Sequence, residues 1–241
     1  MKRFSLMCFF LLLPVIAWAE KVVFVSEDYP PYEYMENGKV VGFDADIIRE
    51  VCSRIGVEAD FKQWPWKRAM VKVKDGSVDA IFSLFRTPER EEFLIFPAEP
   101  LSSEKNVVIV RKGSPLKLTR LDDLKGKTVG VVVEYSYGAE FDNFSGIEKE
   151  VCKSTENMLQ KLDAKRMDIA VINEHVMRYL SRKLGLQDRF DIQFVLNEDP
   201  MYVGFSKAKG GRSQELADKF SATLKQLKTE GRLAAIMAAY K

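Results

Sequence analysis

From Lys21 onward, short apolar runs alternate with segments of helical period, and Gly or Pro punctuates most of the junctions. Apolar runs bounded by turn residues read as buried strands, and strands alternating with helices build mainly parallel sheets covered by those helices. The fold class expected is therefore α/β, each sheet mixed but mainly parallel and flanked by helices. Lys21–Ser26 reads as the first strand, closed by Tyr29-Pro30-Pro31, since proline cannot donate to a ladder. Asn37-Gly38 is a hairpin signal between Glu33–Met35 and Val40–Gly42. Asp44 is expected to cap a helix over Ala45–Ile55, with Ile47, Ile48, Val51 and Ile55 on one face and Gly56 as its stop. Pro65 opens a helix to Lys74, ended by Asp75-Gly76. Val78–Leu84 and Asn106–Val110 read as buried strands.

The pattern then restarts. Lys127–Val133 is a strand after the turn Leu124-Lys125-Gly126. A helix over Thr155–Ala164, a strand Asp168–Ile172 and a helix Glu174–Leu184 follow, stopped by Gly185. Phe190–Leu196 and Tyr202–Phe205 read as two further strands, and helices over Gln214–Lys228 and Arg232–Tyr240 finish the chain. Two such sets joined by apolar strands, not by a flexible linker, predict two lobes sharing hinge strands. A ligand would sit between them, and hinge closure would enclose it.

The first residues bear on compartment. Lys2 and Arg3, an apolar run from Leu6 to Ile16, and the small-residue pattern Ala17-Trp18-Ala19 have the layout of a secretory signal peptide, residues 1–19, cleaved after Ala19. The run is shorter than the roughly 20 apolar residues of a permanent span. Without residues 1–19 the chain loses two basic residues from 37, leaving 35 against 35 acidic ones. A neutral chain carries no electrostatic footprint for nucleic acid or anionic membrane. Cys52 and Cys152 are compatible with a disulfide in an oxidising compartment, although Cys52 lies on an apolar helix face where a buried thiol fits as well. One histidine, His175, gives no Cys/His metal constellation and little for a catalytic triad, so neither metal nor cofactor is expected.

Certain residues carry a resemblance. Asp28-Tyr29-Pro30-Pro31-Tyr32-Glu33-Tyr34, Asn37-Gly38 and Gly42-Phe43-Asp44-Ala45-Asp46 resemble the opening of polar-amino-acid binding proteins of bacterial solute-binding family 3, the periplasmic partners of ABC importers. Val78-Asp79-Ala80-Ile81 with Thr87-Pro88-Glu89-Arg90 is similar to the family's second signature. Leu124–Val131 is similar to its second-lobe entry, and Leu227–Tyr240 to its ending. The resemblance implies a two-lobed periplasmic binding fold of type II with two hinge strands. One lobe would comprise 20–110 plus 198–241 and the other 111–197, with crossings near Arg111 and Asn197. It also implies a periplasmic, non-enzymatic monomer that passes a small carboxylate-bearing solute, an amino acid or related compound, to an ABC permease.

By the same resemblance, Arg90 meets the ligand's carboxylate, for which a guanidinium fork is matched. Tyr29 and Trp66 would sandwich its side chain, with Trp64 a core ring. Ser83 and Thr87 flank a loop expected to donate to the carboxylate. That loop is one residue short of the family pattern and carries Arg86, read equally as a second anion contact or a surface residue. Tyr135-Ser136-Tyr137-Gly138 opens a helix whose N–H groups are either an anion seat or a simple cap. Asn173 stands where binders of α-amino acids carry aspartate, and its carbonyl can accept a hydrogen bond but supplies no charge. Two other readings stay open. One is a periplasmic enzyme of the same fold, similar to cyclohexadienyl dehydratase, with Glu134 or Glu174 as its acid. The other is a soluble ligand sensor that docks on a membrane receptor.

Overall fold

The structure is a computed structural model that describes residues 20–133, 135 and 137–240. The expected cleavage point after Ala19, and the candidates Glu134 and Ser136, lie outside the described residues. The first part of the chain forms β1 (Glu20–Ser26), β2 (Tyr34–Glu36), β3 (Lys39–Val41), α1 (Phe43–Ile55), β4 (Val57–Gln63), α2 (Trp66–Lys74), β5 (Ala80–Phe85), α3 (Pro88–Glu91), β6 (Leu94–Ile95) and β7 (Ser102–Arg111). The middle forms β8 (Thr128–Val132), α4 (Ala139–Asp142), β9 (Glu148–Cys152), α5 (Thr155–Asp163), β10 (Ile169–Asn173) and α6 (Glu174–Lys183). The end forms β11 (Phe190–Ser206), α7 (Gly211–Thr229) and α8 (Arg232–Ala238).

Among the described residues one sheet runs in the order β4-β1-β5-β11-β7-β10-β8-β9. It is parallel at both ends, β4-β1-β5 and β10-β8-β9, and antiparallel through the centre. The centre is the pair β7–β11, which runs from Phe190 opposite Arg111 to Met201 opposite Ser102 with register shifts between Ile192 and Phe194 and between Val195 and Asn197. Beyond it, Met201–Phe205 pair with β5, whereas Asn106–Val110 pair with β10. Among the described residues four buried clusters surround this pair, two of them cores on its opposite sides. Phe24, Phe82, Phe205 and Phe220 pack under α1 and α7, and Val108, Val129, Val171 and Phe141 pack on the far side.

Local chemistry accounts for the elements. In α1 the buried Ile47, Ile48, Val51 and Cys52 recur at helical spacing, and Gly56 at φ 76° closes the helix with its N–H on the Cys52 carbonyl. The N-cap is Gly42, not Asp44, whose carboxyl turns inward instead. The strands expected at Phe190–Leu196 and Tyr202–Phe205 are a single strand, β11. Its exposed middle, Glu198-Asp199-Pro200, stays paired because β7 opposite it, Ser103–Lys105, is equally polar and exposure costs neither strand. β4 and β9 went unanticipated. Both are edge strands of mixed polarity, so neither has the apolar run by which the central strands declare themselves. Cys52 and Cys152 are buried in separate clusters and unbonded.

Asp79 ties the two ends of the chain together. Its carboxylate accepts the Val23 N–H at 2.8 Å and the Arg212 guanidinium at 2.6 Å, and those bonds hold it below the usual carboxylate range against the opposing pull of burial. Arg212 keeps Glu20 and the Lys21 carbonyl when Asp79 is removed, so the cost falls on the Val23 N–H left without its acceptor. Asp79→Ala should therefore cost about 2 kcal/mol in urea unfolding. A loss under about 0.5 kcal/mol, the size of an ordinary surface change, would contradict this role.

Candidate functional site

The turn after β1 folds back on the start of α1. Phe43 and Asp44 donate their N–H groups to the carbonyls of Pro31 and Tyr32, at 3.1 and 3.0 Å. Gly42 allows this approach, because at its φ of 119° a Cβ would lie 2.3 Å from the Tyr32 carbonyl oxygen. The turn thereby carries Tyr29 and Tyr32, stacked at 5.1 Å, into a buried cluster with Phe43, Val107 and Ile109. Tyr32 is fully buried there. Its hydroxyl donates to the Ser103 carbonyl at 3.0 Å and accepts from the Asn173 amide at 2.9 Å, so one ring links the first turn, the central strand β7 and the end of β10.

Beneath Tyr32 lies a buried acid–hydroxyl cluster. Ser83, held at φ 57°, sits between the carboxyls of Glu33 and Asp44 at 2.5 and 2.7 Å. Ser102 donates to Asp44 at 3.0 Å. Burial raises both acids, Asp44 to about 7, and the neighbouring Asp44 raises Glu33 further.

Above the tyrosines is a crevice lined by Tyr29, Glu104, Asn106, Tyr135, Tyr137 and Asn173, among others. Its free volume is about 10 Å³, about the space one water needs. Any ligand there needs the walls to part. A second cavity of about 370 Å³, lined by Phe85, Arg86, Gly138 and Tyr202, shares the Asn106 wall. Asn106 donates to Asn197 at 3.1 Å, and Asn197 donates to the Tyr137 carbonyl at 2.6 Å. The two central strands therefore hold the loop that carries Tyr135.

The expected site residues divide. Tyr29, Tyr135, Tyr137 and Asn173 converge on the crevice, with Arg86 at the adjoining cavity. Tyr29 stacks on Tyr32, while Trp66 packs with Val25, Ala69 and Trp64 in a separate buried cluster, so the two expected partners of a sandwich stand on different neighbours. The Trp66 ring carries the Arg90 guanidinium 5.4 Å from its centroid, and Arg90 also donates to the Phe85 carbonyl at 2.6 Å. Burial draws Arg90 down from its ordinary value. Among the described residues Arg90 forms no ion pair, whereas Arg86 is paired with Glu91. The hydroxyls of Ser83 and Thr87 are already engaged, the first by the buried acids and the second as the cap of α3. Tyr137 is nearly buried, and its hydroxyl accepts the Val132 N–H at 2.9 Å. Asn173 caps α6, its carbonyl accepting the His175 and Val176 N–H groups at 2.9 and 3.1 Å.

Glu104 escaped the sequence reading. Burial pushes its carboxyl up to about 7, opposed by hydrogen bonds from Asn106, Asn173 and Tyr29. The signal was present but misplaced, because the strand starts at Ser102 and not at Asn106. With the right start, Glu104 and Asn106 fall on one face.

Residues 22–241 match the profile of the bacterial extracellular solute-binding proteins, family 3. The chain belongs to that family. Among its relatives are an arginine-binding extracellular protein, ArtP, of Bacillus subtilis and a histidine-binding periplasmic protein of Escherichia coli K12. The first is 28% identical over 86% of this chain and 80% of its own, and the second 27% identical over 84% and 80%. A crystal structure of a probable amino-acid ABC transporter extracellular-binding protein, ytmK, of Bacillus subtilis covers 92% of this chain and 98% of its own with a TM-score of 0.77 at 19% identity. An amino acid ABC transporter substrate-binding protein of Streptococcus pneumoniae, bound to L-arginine, covers 91% and 94% with a TM-score of 0.66 at 21% identity. The two-lobed binding-protein fold expected for this chain is the fold it has.

The buried acids give the family scaffold a pH signature here. Asp44 and Glu104 rise from ordinary values of 3.8 and 4.5 to about 7 on folding, so the folded state holds their protons more tightly than the unfolded chain. That stability is complete below about pH 4 and is lost as pH climbs through about 7, at up to about 1.4 kcal/mol per unit for each group. The melting temperature should therefore fall between pH 5 and pH 8.5, and fall less steeply in Glu104→Gln. A melting temperature that rises over this window would contradict the assignment.

Proposed function

We propose that this chain is an exported binding protein that holds a small amino acid, or a related carboxylate, between its two lobes and passes it to an ABC permease in the inner membrane. The observation that carries this reading is Arg90. A guanidinium half-buried on Trp66, with one carbonyl as its polar partner and no ion pair among the described residues, retains a fork of donors in want of an anion. Tyr29 and Tyr135 supply flat contact in the crevice, which suits a pocket that closes. In this reading Arg86 and the loop at Tyr135–Tyr137 border the ligand, and Ser83, Thr87 and Asn173 shape the walls through the bonds they already make.

The lobes in this account divide at 103–106 on β7 and 197–200 on β11. The first crossing then falls upstream of Arg111, since Asn106–Val110 already pair with β10. A crevice of about 10 Å³ is a closed arrangement, and the hinge opens to admit solute. The arginine and histidine named for the relatives make basic amino acids the first compounds to try. Export follows from the sequence of residues 1–19, and the chain acts as a monomer. Binding, not turnover, is the activity: Glu174, one acid considered for a dehydratase, is held below its ordinary range by its bonds to Arg178 and Lys105 against the pull of burial.

Isothermal calorimetry against the L-amino acids and simple organic acids tests the reading. Wild type should bind at least one of them, and Arg90→Ala should weaken that binding by at least about tenfold, or roughly 1.4 kcal/mol. Equal binding by Arg90→Ala, or turnover of prephenate or arogenate by wild type, would contradict it.

A further inference from the structure

The period of β7 sends alternate side chains to opposite sides. Lys105 goes to the outer side and pairs with Glu174 at 3.3 Å. Glu104 and Asn106 go to the crevice, where Glu104 meets Tyr29, Asn173 and Tyr135. The side chains that share the crevice wall with its carboxyl, Asn106, Asn173 and Tyr29, are neutral. Among the described residues it forms no ion pair, and its cross-strand neighbour is a second acid, Asp199. A carboxyl beside two tyrosine rings, with no cation on it, is a seat of the kind that takes an ammonium or guanidinium, through its charge and through the ring faces together.

Asn173, the other polar group on this wall, cannot fill that role. Its carbonyl oxygen accepts two backbone N–H groups of α6, at 2.9 and 3.1 Å, which uses both lone pairs. Its amide faces the Tyr32 hydroxyl and Glu104. Both functions of Asn173 are thus structural, and one of them is to orient Glu104.

We propose that Glu104 is the specificity-determining residue of the crevice, receiving the cationic group of the ligand beside Tyr29 and Tyr135. The inference rests on the solute-binding reading above and adds to it the charge pattern of the ligand. With Arg90 facing an acid and Glu104 facing a cation, the solute is a small zwitterion. A dicarboxylate, or a carboxylate without a cationic group, brings Glu104 no counter-charge and leaves it holding its proton, so such a compound forfeits the ion pair and is discriminated against on that ground and not by shape.

Calorimetry on matched pairs tests this: each L-amino acid against the same compound lacking the α-amino group, and arginine against citrulline. Wild type should prefer the cation-bearing member of at least one pair by about tenfold or more. Glu104→Gln should shrink that preference by about tenfold while changing affinity for the partner compound by less than about threefold, and Glu104→Asp should keep most of it. Thermal melts check that both variants fold. A preference undiminished in a folded Glu104→Gln, or a wild type that binds the compounds without the cation as well, overturns the assignment and leaves the solute-binding reading standing. A wild type that binds no member of any pair contradicts both.

Discussion

The antiparallel pairing of β7 with β11 is the constraint on which the rest of the molecule depends. It is the place where the two parallel ends of the sheet are joined, and both cores press against it. The strands are apolar where they enter the cores, at Val107–Val110 and Val203–Phe205, and polar where they pass between them. That polar middle is affordable because the ladder satisfies its backbone while its side chains face water or the crevice. It also sets the chemistry of the site. Glu104 and Asn106 reach the crevice because they share a face of β7, and Asn197 on β11 holds the loop of Tyr135 through the Tyr137 carbonyl. In the proposed reading hinge and binding wall are the same residues, so movement of the one would be felt by the other.

Two isolated charges of opposite sign give the site its character. Several ionic side chains around the site find partners: Lys105 with Glu174, Arg86 with Glu91, Arg212 with Asp79. Arg90 and Glu104 do not, and both are partly withdrawn from water. Leaving a charge desolvated and unpaired is costly, and a folded chain tolerates it where a ligand later supplies the counter-charge. By contrast, the Glu33–Ser83–Asp44–Ser102 cluster is internally bonded, with raised carboxyls that share hydroxyl donors. Its work is to fix the turn of Tyr29 and Tyr32 against β5 and β7, so the crevice has one firm wall. Tyr32, bonded to both Ser103 and Asn173, is the latch across it.

The α/β order of the chain was legible because its central strands are apolar and its helices stop at Gly56, Gly185 and Gly231. The edge strands β4 and β9 were not, since a strand paired on one side only needs no continuous apolar run. Joining two expected strands into β11 required knowing that the polar stretch Glu198-Asp199-Pro200 had a polar partner strand, which is information about pairing and not about propensity. Tyr29, Tyr135 and Asn173, which the motifs single out, line the crevice together. Ser83 was assigned to the ligand because its type fits an anion, whereas its positive φ turns it toward two acids that lie 50 and 39 residues earlier. Glu104 was passed over because a charged Ser-Glu-Lys stretch reads as solvated loop until the strand is known to begin at Ser102.

A crystal structure grown with the amino acid that binds most tightly would test the account most directly. The account predicts ligand density between the lobes, with Tyr29 and Tyr135 beside it, its carboxylate on Arg90 and a nitrogen about 3 Å from the Glu104 carboxyl. Density on the outer side of the hinge, in the cavity lined by Lys105 and Arg178, with the crevice still closed over Tyr29 and Asn173, would contradict it.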